Sequence, residues 1–163
     1  MEVVARRTIQ GEGGEDALRG SKASQRMHVS KNAWAWRAIG SVELQHQNYE
    51  ESIVAFQVAL RAEPDDPALW HLLGDAYALS GRHVAALRSL SKAQELNPTQ
   101  WEIRYSIADV HRQLGDYDEA IDLFEGILEA HPKQIAVRVA LSDAYLLNGR
   151  TQQSSGYSAR AGN

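Results

Sequence analysis

The chain of 163 residues predicts an all-α solenoid, in which helix pairs stack one on the next for about three and a half repeats. Three observations predict it. First, one register recurs every 34 residues: Trp36, Ile39, Gly40 and Pro64, then Trp70, Leu73, Gly74, Tyr77 and Pro98. A third pass reads Arg104, Ile107, Ala108, His111 and Pro132, and a fourth opens Arg138, Leu141, Ser142, Tyr145 before the pattern fades after Arg150. Second, small residues fall where paired antiparallel helices must cross: Gly40 with Ser52 and Ala59, Gly74 with Ala86 and Ala93, Ala108 with Ala120. Third, chain breakers recur in step. Gly81, Gly115 and Gly149 follow each first helix, with Gln47-Asn48 in that place in the first repeat, and Pro64, Pro98 and Pro132 follow each second helix.

Taken in order, residues 1–31 read as a flexible N-terminal segment, with Gly11, Gly13, Gly14 and Gly20 and few large apolar side chains to offset the cost of ordering. Gly11-x-Gly13-Gly14 lacks a preceding strand and a following lysine in register, and Glu12 and Glu15 repel phosphate, so it is no phosphate loop. The array occupies 32–150, with repeats at 33–66, 67–100 and 101–134 and a partial one at 135–150. Its helices are expected at 33–46, 50–62, 67–80, 84–96, 101–114, 118–130 and 135–148. Asp66-Pro67 is an N-cap followed by proline in the first turn, and Asn32 and Thr99 stand in equivalent places. Trp36, Ile39 and Phe56, then Trp70, Leu73, Tyr77 and Leu90, then Ile107 and Phe124 are the expected fillers between helices. Residues 151–163 read as a frayed, incomplete last helix because Gln152, Gln153, Ser154, Ser155 and Gly156 disfavour a firm one.

Charge and composition exclude several classes of function. The overall charge of −4 divides unevenly: residues 1–31 carry six Lys/Arg against four Asp/Glu, the remainder eleven against seventeen. Direct nucleic-acid binding by the repeats is therefore not expected, since phosphate neutralisation needs a concentrated basic surface. Without cysteine there is no disulfide, thiolate or cysteine-zinc chemistry. The histidines at 28, 46, 71, 83, 111 and 131 give no i, i+4 ligand pair, so no metal is expected. Asp116 and Asp118 beside Gly115 read as capping residues, no catalytic constellation emerges, and the chain is read as a non-enzyme without a cofactor. No apolar run approaches the roughly 18 residues of a membrane span. Arg6 and Arg7 are followed by no apolar stretch, so no export signal is expected. The expected location is the cytoplasm, with the nucleus as a second possibility.

The motifs W-x-x-I-G at Trp36–Gly40 and W-x-x-L-G-x-x-Y at Trp70–Tyr77, each with its small residues and closing proline, resemble tetratricopeptide repeats. The resemblance implies a right-handed superhelix whose concave wall is lined by the first helix of each repeat. On that wall the candidate protein-binding groove comprises Arg37, Ser41, His71, Asp75, Tyr105, Asp109, Arg112 and Asp143. Asp75, Asp109 and Asp143 recur at the repeat spacing as an acidic ladder. It reads either as a docking strip for a basic or amide-rich segment or as ordinary wall polarity paired with neighbours such as Arg112. The wall has no lysine, so the carboxylate clamp by which some family members hold chaperone tails is not expected. Trp34 and Trp101 lie outside the motif register, and one of them is a candidate exposed anchor.

The run Ala35-Trp36-Arg37-Ala38-Ile39-Gly40, with Glu43-Leu44-Gln45, Asn48 to Ile53, Phe56-Gln57 and Ala59-Leu60-Arg61, resembles the tetratricopeptide scaffold subunit of Superkiller complexes. The likeness extends over about residues 33–160 and is most distinctive in the first repeat. It implies a fragment of a longer cytoplasmic scaffold that joins an RNA helicase to WD-repeat proteins in exosome-dependent 3′-to-5′ mRNA decay. The other reading is a self-contained adaptor that holds a partner's peptide segment in the concave groove.

Overall fold

In the computed structural model, which describes residues 32–160 and their side chains as far as 149, the local signals of the sequence act at their own positions. The described residues form seven helices and no strand. These are α1 (Ala33–Gln45), α2 (Tyr49–Ala62), α3 (Pro67–Leu79), α4 (His83–Leu96), α5 (Trp101–Leu114), α6 (Tyr117–Ala130) and α7 (Ile135–Arg160). The Asp66 carboxylate accepts from the Ala68 N–H at 2.8 Å, and Pro67, whose missing N–H does no harm there, opens α3. Glu63, Asn97 and His131 each leave the helical region with φ between −129° and −139°, as a residue preceding proline must. The first helices of the second and third repeats end through left-handed glycines, Gly81 at φ +78° and Gly115 at φ +88°. In the first repeat Gln47 adopts φ +64°.

The helices stack as antiparallel pairs, each packing on its chain neighbours and, more lightly, first helix upon first helix. The crossings are close because the small residues are small. A Cβ placed on Gly40 would lie 2.6 Å from the Phe56 ring, and one on Gly74 would lie 2.6 Å from Leu90 Cγ. Ser52 is wholly buried at the first crossing and donates to the Gly40 carbonyl at 2.9 Å. Apolar layers fill the spaces between repeats: Phe56, Leu60, Leu69 and Leu73; Leu90, Ile103, Ile107 and Val110; Phe124, Ile127, Val137 and Ala144. Fully burying one such side chain stabilises the fold by about 1.5–3 kcal/mol.

The departures from the repeat pattern acquire reasons. Trp70 donates from its indole Nε1 to the Pro64 carbonyl at 2.7 Å, and Arg138, which replaces a tryptophan, donates to the Pro132 carbonyl. Arginine thus keeps the donor while changing the ring. Tyr77 and Tyr145 bridge to the preceding repeat through Gln57 and Glu125. Glu43, in the same register, instead accepts from Asn48 Nδ2 within its own turn.

Four expectations need correction. Gly149 does not close a helix: α7 runs unbroken through it to Arg160. After Gly81 and Gly115 comes a segment with apolar residues to bury, such as Leu90 and Phe124, whereas Thr151–Arg160 holds Tyr157 and Ala159 among polar residues and glycine. With so little burial to gain from folding back, continued helical hydrogen bonding is the better outcome. Ile39 is no filler: it is 45% exposed, because no described helix covers that face of α1. Asn32 stands at the α1 N-cap without a side-chain hydrogen bond. Gln100, not Thr99, is the N-cap of α5, and the Thr99 hydroxyl turns to Asn97 at 3.0 Å.

Candidate functional site

Register alone places Asp75, Asp109 and Asp143 on α3, α5 and α7, and packing of first helix against first helix brings them to one wall. Two adjoining depressions lie there. The first, about 290 Å³, is lined by Leu44, Asp75, Leu79, Tyr105, Ser106 and Asp109 among others. The second, about 310 Å³, is lined by Tyr105, Asp109, Arg112, Ala136, Val139, Ala140 and Asp143. Tyr105 and Asp109 belong to both and form the ridge between them. Tyr105 is held by its ring, tilted against Phe124 at a centroid distance of 5.6 Å. Burial, with the Asp109 charge beside it, pushes the Tyr105 phenol above its ordinary pKa and keeps it neutral.

The three carboxylates share a register but not an environment. Asp75 is partly buried; its Oδ2 lies 3.5 Å from His71 Nε2, and that nitrogen lies 2.9 Å from Ser106 Oγ. Burial raises the Asp75 pKa, against the opposing pull of His71 and of a hydrogen bond with Ser106. Asp109 is neutralised within its own helix: Arg112 donates to Oδ1 through Nε at 2.9 Å and Nη2 at 2.6 Å, and Gln113 donates to Oδ2 at 2.7 Å. Asp143 is exposed on the rim of the second depression.

His71, Asp75 and Ser106 bring together the residue types of a hydrolytic triad, but not its geometry. Serine and carboxylate both meet Nε2, whereas a proton relay needs them on opposite ring nitrogens. The cluster instead orients Asp75 toward the groove. Among the described residues no group of three or more histidine, aspartate or glutamate side chains is placed to hold a metal ion, and no helix is long and apolar enough to cross a membrane.

The structure thus gathers Asp75, Tyr105, Asp109, Arg112 and Asp143 into one continuous wall, with His71 behind Asp75. Arg37 and Ser41 line neither depression. Arg37 reaches Asp66 at 3.3 Å, and the Ser41 hydroxyl turns back to the Arg37 carbonyl at 2.9 Å. Sequence reading missed Ser106 and Gln113. The available signal was their spacing: Ser106 precedes Asp109 by three residues and Gln113 follows it by four, which puts both beside the ladder. Of the two tryptophans outside the register, Trp34 is 74% exposed, while Trp101 packs into the third layer and lies 6.2 Å from the His131 ring.

Comparison with known proteins agrees with this architecture. Residues 45–127 match the family model described as anaphase-promoting complex, cyclosome, subunit 3, and residues 111–156 match a tetratricopeptide repeat model. The first TPR domain of the human RPAP3 protein superposes with a TM-score of 0.70 at 19% identity, covering 77% of this chain and 98% of that one. The first TPR of Spaghetti (RPAP3), bound to the HSP90 peptide SRMEEVD, superposes with a TM-score of 0.67 at 20% identity, covering 74% and 95%. The chain belongs to the tetratricopeptide-repeat family.

Within that family it is similar to Superkiller protein 3 of Schizosaccharomyces pombe, 34% identical over 161 residues, which is 99% of this chain and 11% of the relative. Superkiller complex protein 3 of Mus musculus is 32% identical over 127 residues, 78% of this chain and 8% of that protein. Superkiller protein 3 of Saccharomyces cerevisiae is 29% identical over 140 residues, 86% and 10%. The chain spans about a tenth of the length of these relatives.

Proposed function

We propose that this chain is a non-enzymatic protein-interaction scaffold of the Superkiller kind, acting in the cytoplasm. In that role it contributes repeats to an array that joins an RNA helicase to WD-repeat proteins in exosome-dependent 3′-to-5′ mRNA decay. The observation that carries the reading is the 34% identity to Superkiller protein 3 sustained over 161 residues. Repeat grammar alone concerns a few positions per period; a likeness that runs through the intervening residues is more than shared grammar. The wall supports a role in holding protein rather than RNA, since it offers no concentrated basic surface and its Arg112 is engaged by Asp109. Its groove, from Asp75 through Tyr105 and Asp109 to Asp143, is then a docking strip for a segment of a partner subunit.

Affinity purification of the endogenous product with mass spectrometry tests the assignment. Recovery of helicase and WD-repeat subunits is the expected result, and recovery of chaperones alone would sink it. Asp75→Asn, Asp109→Asn and Asp143→Asn together should weaken recovery of at least one partner while leaving the helical circular dichroism intact.

A further inference from the structure

Between α1 and α2 lies an open depression of about 400 Å³, lined chiefly by Trp36, Ile39 and Glu43 from the first helix and Glu50, Glu51 and Val54 from the second. Ile39 is 45% exposed and Val54 56%. One period on, Leu73 holds the place of Ile39 and is 4% exposed, because Phe56 and Leu60 of α2 share its apolar cluster. The rim is acidic around this apolar floor. Glu50 meets Arg82 at 2.7 Å, whereas Glu43 accepts from the neutral amide of Asn48. Three carboxylates against that one guanidinium leave the rim with a net negative charge.

The complementary chemistry stands just before α1 in the same chain. Residues 17–31, outside the described ones, carry Arg19, Lys22, Arg26 and Lys31 with no aspartate or glutamate, and Leu18, Met27 and Val29 are interspersed among them. We infer that this segment docks on the α1–α2 face, with Met27 and Val29 entering between Ile39 and Val54 while Lys22 and Arg26 meet the carboxylates of Glu43, Glu50 and Glu51. The tether allows it. Ile39 lies roughly 10 Å along α1 from Asn32, and the chain from Asn32 back to Met27 reaches up to roughly 17 Å. A second copy would bring the same carboxylates to the face and be repelled. A separate protein would have to compete with a tethered segment whose effective concentration is in the millimolar range. The contact is not one more repeat: one period before Ser52, Phe56 and Ala59 stand Leu18, Lys22 and Gln25, so no large apolar side chain arrives where each crossing needs one. Leu44, on another side of α1, lines the groove, so the docking is independent of what the groove holds.

Because the chain has no cysteine, Ser24→Cys gives the full chain a single site for a nitroxide label. Docking should broaden the amide resonances of Ile39 and Val54 well beyond that of Leu44, whereas an undocked segment swinging from Asn32 would broaden all three alike. Lys22→Glu with Arg26→Glu should lower the relaxation enhancement at Ile39 and Val54 about threefold, as attractions between exposed charges become repulsions. Glu50→Lys with Glu51→Lys should do the same, and the four changes together should restore it, with an unchanged helical circular dichroism spectrum showing that each variant folds. Four results would each overturn the inference. Equal broadening at Ile39, Val54 and Leu44 would leave the face to a separate protein. Enhancement indifferent to either charge reversal, or not restored by the combined one, would remove the ionic contact. Broadening of an unmodified, isotopically labelled chain mixed with the nitroxide-bearing one would assign the face to a second copy.

Discussion

Helices α3 and α7 display the same three signals two periods apart: a small residue at Gly74 and Ser142, a carboxylate at Asp75 and Asp143, and a glycine at Gly81 and Gly149. In α3 each is used. Gly74 lies under Leu90, Asp75 is drawn into a partly buried cluster with His71 and Ser106, and Gly81 turns the chain back through a positive φ. In α7 Ser142 faces an open depression, Asp143 sits on a rim, and the helix passes through Gly149. These residues permit a turn, a crossing or a buried charge without compelling one. What compels it is the helix that follows, through the apolar area it has to bury.

The largest effect separating the two helices should come from Gly74→Leu against Ser142→Leu. The first drives carbon into Leu90 and should cost about 1–3 kcal/mol in urea unfolding, while the second should stay within about 0.5 kcal/mol. Equal costs would show Ser142 to be as closely covered as Gly74. Next, Gly81→Ala and Gly149→Ala should differ in sign. At Gly81 a side chain meets no neighbour yet must adopt a left-handed backbone, costing about 1–2 kcal/mol. At Gly149 the same change replaces a glycine inside a helix and should stabilise by about 0.5–1 kcal/mol. Loss of stability at Gly149 would mean that α7 turns there in solution.

The smallest effect concerns pH. Because burial raises the folded-state pKa of Asp75, its ionised form is disfavoured in the fold. The stability tied to its protonated form is fully present below the ordinary carboxylate pKa and is lost as pH rises through the raised value. Asp75→Asn, neutral throughout, should therefore melt with the wild type in acid and above it at neutral pH. Asp143→Asn, on an exposed rim, should change the melting temperature little at either pH. A wild type more stable than Asp75→Asn at neutral pH would show the carboxylate to be favoured by His71 after all.

How far sequence reading reached follows from which interactions are local. Asp66-Pro67 and the three prolines act within a turn of their own position, and the helices they bound fall within a residue of expectation. Gly149 failed because its consequence depends on residues after it. Ile39 failed because burial is a property of the neighbour, and no described helix covers that side of α1. At the groove, the alignment of Asp75, Asp109 and Asp143 is arithmetic on the period. Their unlike surroundings are not, since Asp75 is shaped from α5 by Ser106 and Asp109 from its own helix by Arg112 and Gln113.

Because each helix packs chiefly on those adjacent in the chain, most contacts close short loops. A topology of that kind has low contact order, which places its folding in the microsecond-to-millisecond range and lets the helix pairs form from any starting point. It also makes the array a graded spring. Pulled from its ends, it would yield one helix pair at a time, each pair bearing load until its own crossing gives way.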